Sequence, residues 1–309
     1  MISLRARLVR ALLRLYTYPA RREHRSLSRS VHFSEGKYRP PRGVRLYTES
    51  ADGVRIEILE PPAHERELIH FHGGGHTARM NDFYRRAAEC YAKMGCRVHS
   101  IDYTAGKDLV YPAVHDECFR AYRALARSLP KGRPLAAVGD SFGANLLLSA
   151  CLRAREMRLR LPKAIVCISP FLDLAASGDS YRRNCHRDPL YALPRSQSFA
   201  AHEREIRRGT PYCGQTDPHL PDLSPAYADL HGLPRMLVQV GEYETSADDA
   251  YALARSAREK GVPVYLHAFT GMWHDFMYLF PSLPESRAAF AEIEAFLRAA
   301  AACPPPQKR

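Results

Sequence analysis

The sequence lacks the features that would take it away from an ordinary globular fold. No apolar stretch is long enough to span a bilayer, which excludes a membrane-spanning helix. The eight cysteines, at positions 90, 96, 118, 151, 167, 185, 213 and 303, contain no Cys-x-x-Cys pair. Zinc-finger spacing and the mixed aromatic and basic signature of RNA-binding segments are also absent, so nucleic acid is not an expected partner. Acid is scarce at the start of the chain: residues 1–30 hold eight arginines against the single acid Glu23. Those arginines interrupt the apolar centre that a secretory signal requires. Cys96, Cys151 and Cys167 sit inside apolar patterns and read as small buried hydrophobes. Both features favour a reducing, cytoplasmic setting. Cys185 and Cys213 lie in a loop-rich region and are open to pairing.

What is present is enough for a large core. The 309 residues, 46% hydrophobic and 25% charged, fit one large soluble domain or two. The formal charge of +12 is concentrated in the first segment, where a basic patch attracts anionic lipid or an acidic partner. Residues 1–18 alternate Ile2, Leu4, Leu8, Val9, Leu12, Leu13, Leu15 and Tyr16 with Arg5, Arg7, Arg10 and Arg14, an amphipathic helix with a basic face. Two readings stand, packing of the leucine face onto the protein or contact with a membrane surface. Packing is preferred. Nothing in the sequence speaks to oligomeric state.

Beyond a connecting loop over 19–43, strands and helices alternate. Asp52-Gly53 joins Val44–Thr48 to Val54–Leu59 as a hairpin, and Glu67–Phe71 forms a third strand. A helix over Asp82–Lys93, with Phe83, Ala87, Cys90, Tyr91 and Met94 as its buried stripe, is stopped by Gly95. The strand Cys96–Ile101, a helix over Ala113–Ser128, the strand Pro134–Val138 and the strand Lys163–Ser169 follow. Residues 171–223 are irregular, an expected functional insertion. Regularity returns with a strand over Arg235–Val240, a helix over Ala247–Lys260, a strand over Val262–Phe269 and a helix over Ser286–Ala301. The pattern predicts an α/β fold with a mainly parallel sheet covered on both faces. Residues 303–309 read as a disordered tail.

Three stretches at strand ends carry chemistry. Gly139-Asp140-Ser141-Phe142-Gly143 stands between an apolar strand and a helical pattern, a Gly-x-Ser-x-Gly turn that exposes a serine hydroxyl above a helix N-terminus. The alternative is an ordinary strand-to-helix turn. His72-Gly73-Gly74-Gly75-His76 offers backbone N–H groups to an anion; the alternatives are a flexible loop or a metal held by His70, His72 and His76. No carboxylate or cysteine joins those histidines at a characteristic spacing, so no metal is expected. Glu244 follows one strand and His274 follows the last. In a parallel sheet, residues just beyond the carboxyl ends meet at one rim. A serine nucleophile, an acid and a base therefore converge in the order serine, acid, histidine.

Taken together, these motifs, with Ser224-Pro225, Asp229-Leu230, Gly232-Leu233-Pro234 and Asp275-Phe276, resemble the hormone-sensitive-lipase family of esterases. The resemblance runs from about residue 44 to 300. Ser3-Leu4-Arg5-Ala6-Arg7-Leu8 is similar to the N-terminal cap helix of its bacterial lactone-hydrolase-like members. It implies an α/β-hydrolase core over 44–170 and 224–302, with residues 1–43 and 171–223 as the cap. It further implies that Ser141 attacks an ester carbonyl, His274 moves the proton, Glu244 orients His274, and the N–H groups of Gly73, Gly74 and Phe142 hold the oxyanion, with no cofactor. Asp140 and His72 support the loops. The expected activity is that of a serine carboxylesterase for small to medium acyl esters, with lactones and acetyl esters in range. The alternatives are a binding protein on the same scaffold and an amidase or peptidase using the same triad.

Three departures from the family pattern stand out. Glu244-Thr245-Ser246 replaces the usual Asp-Pro-Leu, with Asp248 as the reserve acid. Phe142 replaces an alanine beside the nucleophile, where its ring would narrow the pocket. Tyr103-Thr104-Ala105-Gly106 replaces Tyr-Arg-Leu-Ala.

Overall fold

The computed structural model describes residues 2–22, 36–191, 193, 195–206 and 209–302. The expected tail over 303–309 and most of the expected loop over 19–43 lie outside the described residues. In chain order the elements are α1 (Leu4–Arg22), β1 (Arg45–Ala51), β2 (Val54–Glu60), β3 (Arg66–Phe71), α2 (Asp82–Lys93), β4 (Cys96–Asp102), α3 (Ala113–Ser128), β5 (Leu135–Asp140), α4 (Phe142–Glu156) and β6 (Ala164–Ile168). Then come two short helices within the insertion, α5 (Ser180–Arg183) and α6 (Phe199–Ile206). The chain closes with β7 (Arg235–Gly241), α7 (Ala247–Glu259), β8 (Val264–Phe269), α8 (Phe276–Leu279) and α9 (Pro284–Ala302).

The strands form one sheet in the order β1-β2-β4-β3-β5-β6-β7-β8. β1 and β2 pair antiparallel, as do β2 and β4, and every later pairing is parallel. Because both faces of the central strands are covered, β3, β5 and β6 are buried throughout; β6 and residues 135–138 of β5 are apolar without alternation, whereas β3 buries Arg66, Glu67 and His70 among its apolar residues. The edge strand β8 alternates instead. Parallel register places Phe71 beside Gly139, Asp140 beside Ile168, and Gly241 beside Phe269. The segments leaving these strands therefore emerge along one rim, and that rim carries Ser141, Glu244 and His274.

Two apolar layers sandwich the sheet. One gathers α3, α4 and α7, including Tyr122, Leu147 and Leu253; the other gathers α2, α8 and α9 around Trp273, Tyr91 and Ile293. Each Leu or Ile fully buried in these layers stabilises the fold by roughly 1.5–3 kcal/mol. α4 is buried along most of its length, which explains the apolar run Leu146-Leu147-Leu148 immediately after the serine.

Two expectations about helix faces are corrected. In α2 the buried residues are Asp82, Tyr84, Ala87, Ala88, Tyr91 and Ala92, whereas Phe83, Cys90 and Met94 are only half-buried. The helix is turned because the Asp82 carboxylate accepts the N–H groups of Lys37 and Tyr38, both at 2.9 Å, and Tyr84 reaches beneath the glycine loop. Asn81 caps this helix by accepting the Phe83 N–H at 2.9 Å, and Gly95, at φ 77°, supplies the left-handed residue after its end.

The second correction concerns α1. Its leucine face was expected to pack inward, but Leu4, Leu8, Leu12 and Leu15 face solvent. Ala6, Val9, Leu13 and Thr17 turn inward together with Arg10 and Arg14. The cause is polar. Arg10 donates to Gly271 O at 2.8 Å, Arg14 donates to His186 O and Arg187 O at 3.0 and 2.9 Å, and Thr17 Oγ1 donates to Pro189 O at 2.6 Å. Cys185 and Cys213 are both free thiols, in separate apolar clusters, so no disulfide joins them.

Candidate active site

Ser141 occupies the corner between β5 and α4 with φ 52° and ψ −124°, a backbone state that non-glycine residues adopt only under constraint. The constraint is visible in its neighbours. A Cβ on Gly143 would lie 2.1 Å from Phe71 O and 2.6 Å from His72 O, and one on Gly139 would lie 2.5 Å from Gly143 O. The flanking glycines are thus required by close backbone approach. Ser141 N–H donates to Ile168 O at 2.9 Å, fixing the corner against β6.

Glu244 and His274 meet. His274 Nδ1 lies 3.0 Å from Glu244 Oε2, and Glu244 is fully buried. The second carboxylate oxygen, Oε1, accepts from Ser169 Oγ at 2.8 Å and from Gly241 N–H at 2.5 Å. Ser169 Oγ also accepts the Asp275 N–H at 3.0 Å, so one hydroxyl ties the acid to the loop that carries the base. The Asn184 amide, from the insertion, donates to Glu244 O at 2.7 Å. The reserve acid points elsewhere: Asp248 accepts the Ser180 N–H at 2.8 Å and pairs with Arg183 at 2.8 Å. The longer arm of Glu244 is therefore accommodated by a complete set of donors.

His274 Nε2 has no hydrogen-bond partner among the described residues, so no bond to Ser141 Oγ is formed in this state. Nucleophile–base bonds commonly tighten only when substrate binds. Asp275 Oδ2 stands 3.3 Å from the same nitrogen, and Asp275 adopts left-handed backbone at φ 51°. Burial opposes a charge on His274, but Asp275, Glu244 and Asp188 outweigh it and raise the imidazole to about 10. Burial also pushes the Asp275 carboxyl well above its ordinary range, against the pull of His274. Asp188, likewise raised by burial to about 6, accepts the Leu190 N–H at 2.8 Å. The Tyr191 ring stands edge-on to His274, 4.9 Å between centroids.

The glycine loop corrects one expectation. The Gly73 N–H donates to Asp140 Oδ2 at 3.0 Å and is already committed. The N–H groups of Gly74, Gly75 and Phe142 have no acceptor among the described residues. Gly74 and Gly75 hold φ 87° and 63°, conformations that suit glycine. Tyr103 Oη lies within 3.1 Å of the carbonyls of His72, Gly73 and Gly75, holding these acceptors on the inner side of the loop.

The histidines around this loop do not converge. His72 stacks on Tyr103 at 4.2 Å, directs Nδ1 to Gly73 O at 2.9 Å, and is held neutral because burial lowers it to about 3. His70 Nδ1 meets Ser100 Oγ at 3.0 Å, and His76 stacks against Tyr212. Among the described residues no group of three His, Cys, Asp or Glu side chains is placed to hold a metal.

Phe142 is buried, with its ring edge-on to Tyr212 at 5.4 Å and to His115 at 5.9 Å. His115 in turn bridges Tyr212 Oη, at 2.9 Å, and Asn145 Oδ1, at 3.0 Å. The ring thus braces the insertion against α3 and α4. Ser169, Asp188, Tyr191 and Asp275 were missed as members of the site. Asp275 lay next to a residue already singled out, while Ser169, Asp188 and Tyr191 carried no local signal.

Comparison with known proteins bears on the fold and the family. Residues 68–278 match the Abhydrolase_3 family model, described as an alpha/beta hydrolase fold. An acetyl-hydrolase of Streptomyces hygroscopicus is 36% identical over 237 residues, covering 76% of each chain. An esterase of Acinetobacter venetianus is 32% identical over 253 residues, covering 79% of this chain and 78% of its own. Among solved structures, an esterase from the bacterial hormone-sensitive lipase family superimposes with a TM-score of 0.78 at 30% identity, covering 97% of this chain and 99% of the other. The chain belongs to the hormone-sensitive-lipase family of α/β-hydrolase-fold carboxylic ester hydrolases.

Proposed function

We propose that the protein is a serine carboxylesterase for small to medium acyl esters that works through an acyl-enzyme. The observation that carries the reading is the buried contact of His274 Nδ1 with Glu244 Oε2 at 3.0 Å, on the same rim as the constrained Ser141. Ser141 Oγ attacks the carbonyl carbon while its proton passes to His274 Nε2. The carbonyl π electrons move onto oxygen, and the N–H groups of Gly74, Gly75 and Phe142 hold that charge. Collapse of the intermediate breaks the carbon–oxygen bond to the alcohol, which leaves with the proton from His274. Water, deprotonated by His274, then attacks the acyl-enzyme and releases the acid and Ser141. Glu244 holds the imidazole in its working tautomer throughout.

The names of the relatives favour short acyl groups, acetyl among them; lactones enter by the same chemistry. The cap reading assigns α1 and residues 171–223 to the walls of the acyl and alcohol pockets, supported by the contacts of Tyr191 and Asn184 around His274 and Glu244. All described cysteines are free thiols, which supports a reducing, cytoplasmic setting. No described helix is long and apolar enough to cross a membrane.

Turnover of p-nitrophenyl acetate and butyrate tests the reading. Ser141→Ala is expected to abolish it, and equal activity in the two proteins would refute it. Labelling of Ser141 by a fluorophosphonate separates an esterase from a receptor on the same scaffold, and anilide substrates separate it from an amidase.

A further inference from the structure

The solvent-facing side of α1 is out of keeping with the rest of the surface. Among the described residues twelve large hydrophobic side chains are exposed, and five of them, Leu4, Leu8, Leu12, Leu15 and Tyr16, belong to this helix. The four leucines are 80%, 62%, 55% and 72% exposed, too much for residues that merely edge a core. At about 100° of rotation per residue they fall within an arc of roughly 80°, and from Leu4 to Leu15 they run for about 17 Å. Exposed Arg5 borders this stripe on one side and exposed Arg7 on the other. No acidic residue occurs anywhere in the helix.

The helix cannot roll to bury this stripe. Arg10, Arg14 and Thr17 fasten its opposite side to Gly271 O, His186 O and Pro189 O. Beside the stripe, Val9, Leu12, Leu13, Tyr16 and Phe280 line an apolar groove of about 160 Å³. A narrow apolar face, cationic along both borders and held outward by the fold, is the arrangement of helices that lie in the plane of a lipid interface. Charge decides between occupants. A second copy of the same helix would bring arginine against arginine with no carboxylate in either to answer it, whereas an anionic headgroup layer answers both borders.

We propose that α1 docks the protein onto an anionic lipid surface, with Leu4, Leu8, Leu12 and Leu15 at the acyl boundary and Arg5 and Arg7 on headgroup phosphates. The carbonyls that anchor α1 belong to the segments carrying Asp188, Tyr191 and His274, so docking brings the catalytic rim to the interface. The natural ester is then one that partitions into lipid. That consequence rests on the esterase reading; surface binding does not.

The test is flotation of the full chain with vesicles of phosphatidylglycerol and phosphatidylcholine in equal parts, against vesicles of phosphatidylcholine alone. The wild type and Ser141→Ala are expected to float equally with the anionic vesicles and to be released by high salt. Leu4→Ser/Leu8→Ser/Leu15→Ser is expected to lower the partition coefficient at least about ten-fold. Arg5→Glu/Arg7→Glu is expected to lower it roughly thirty-fold or more, from the share each cation contributes near such a surface. Both variants should keep the wild-type far-UV circular dichroism and a melting temperature within a few degrees of it in vesicle-free buffer, which shows that they fold. Failure of the wild type to float, or flotation of the triple leucine variant equal to that of the wild type, overturns the proposal. So does a wild-type dimer that the leucine changes convert to monomer without any effect of lipid.

Discussion

Asp275→Asn isolates the charge that stands where the nucleophile's proton must go. Asp275 Oδ2 lies 3.3 Å from His274 Nε2, and both residues are buried. With Asp275 ionised beside the imidazolium, the two charges at that separation attract by about 5 kcal/mol at an effective dielectric constant of about 20, before subtraction of the desolvation that pushes the carboxyl itself toward its neutral form. Opposite charges at such range raise an imidazole by about one to three units after that subtraction. Asparagine cannot ionise, tolerates the left-handed backbone at φ 51°, and keeps the N–H that Ser169 Oγ accepts. The sign follows from His274 being the base. With its pKa raised to about 10, the imidazole is free to accept a proton only as pH rises. Removing Asp275 moves the rising limb of kcat/KM to lower pH by at least about one unit, though Glu244 still holds it above the ordinary value near 6.5. The assay is the pH profile of kcat/KM for p-nitrophenyl acetate, from about pH 5 to pH 10. An unmoved limb, or one displaced to higher pH, would refute the electrostatic reasoning.

Four further substitutions probe the supports. Glu244→Gln is expected to lower kcat by roughly 10³- to 10⁴-fold, the scale seen when the acid of such a triad is neutralised, while Asp248→Asn, which loses only a partly exposed pair with Arg183, changes it little; the reverse result would assign the acid to Asp248. Ser169→Ala removes one donor to Glu244 and one acceptor for Asp275, and should lower kcat about ten-fold with KM unchanged, from roughly 1.5 kcal/mol of charge-assisted hydrogen bonding. Gly143→Ala, whose Cβ would fall 2.1 Å from Phe71 O, is expected to lose several degrees of melting temperature together with activity, and a stable, active variant would contradict the packing described.

The helices over Asp82–Lys93 and Ala113–Ser128 were legible to the residue, because their signals are local: the apolar period and the stop at Gly95 in the first, the limits of the helical pattern in the second. The rim of Ser141, Glu244 and His274 was legible for another reason. Alternation of strand and helix forces residues at strand ends to one side, whatever the details of packing. The outward turn of α1 was not legible, since Arg10 and Arg14 turn inward to backbone carbonyls of Gly271, His186 and Arg187, and a carbonyl has no signature in sequence. The same limit hid the engagement of Gly73. Its N–H is taken by Asp140, 67 positions away along the chain, and only the register of β3 beside β5 brings the two together. In the insertion, α5 and α6 are too short to establish a period.

The missing side chains at Gly73, Gly139 and Gly143 have a consequence for how this fold can diversify. At each, a single added carbon would intrude on a neighbouring element: on the Asp140 carboxylate from Gly73, on the Gly143 carbonyl from Gly139, and on the carbonyls of Phe71 and His72 from Gly143. Nucleophile corner and glycine loop are therefore one interlocked floor, with no slack to reshape either alone. New substrate preferences have to be written in the walls. Libraries aimed at Tyr191 and its neighbours should yield altered selectivity, whereas libraries aimed at the floor should yield mostly unfolded chains.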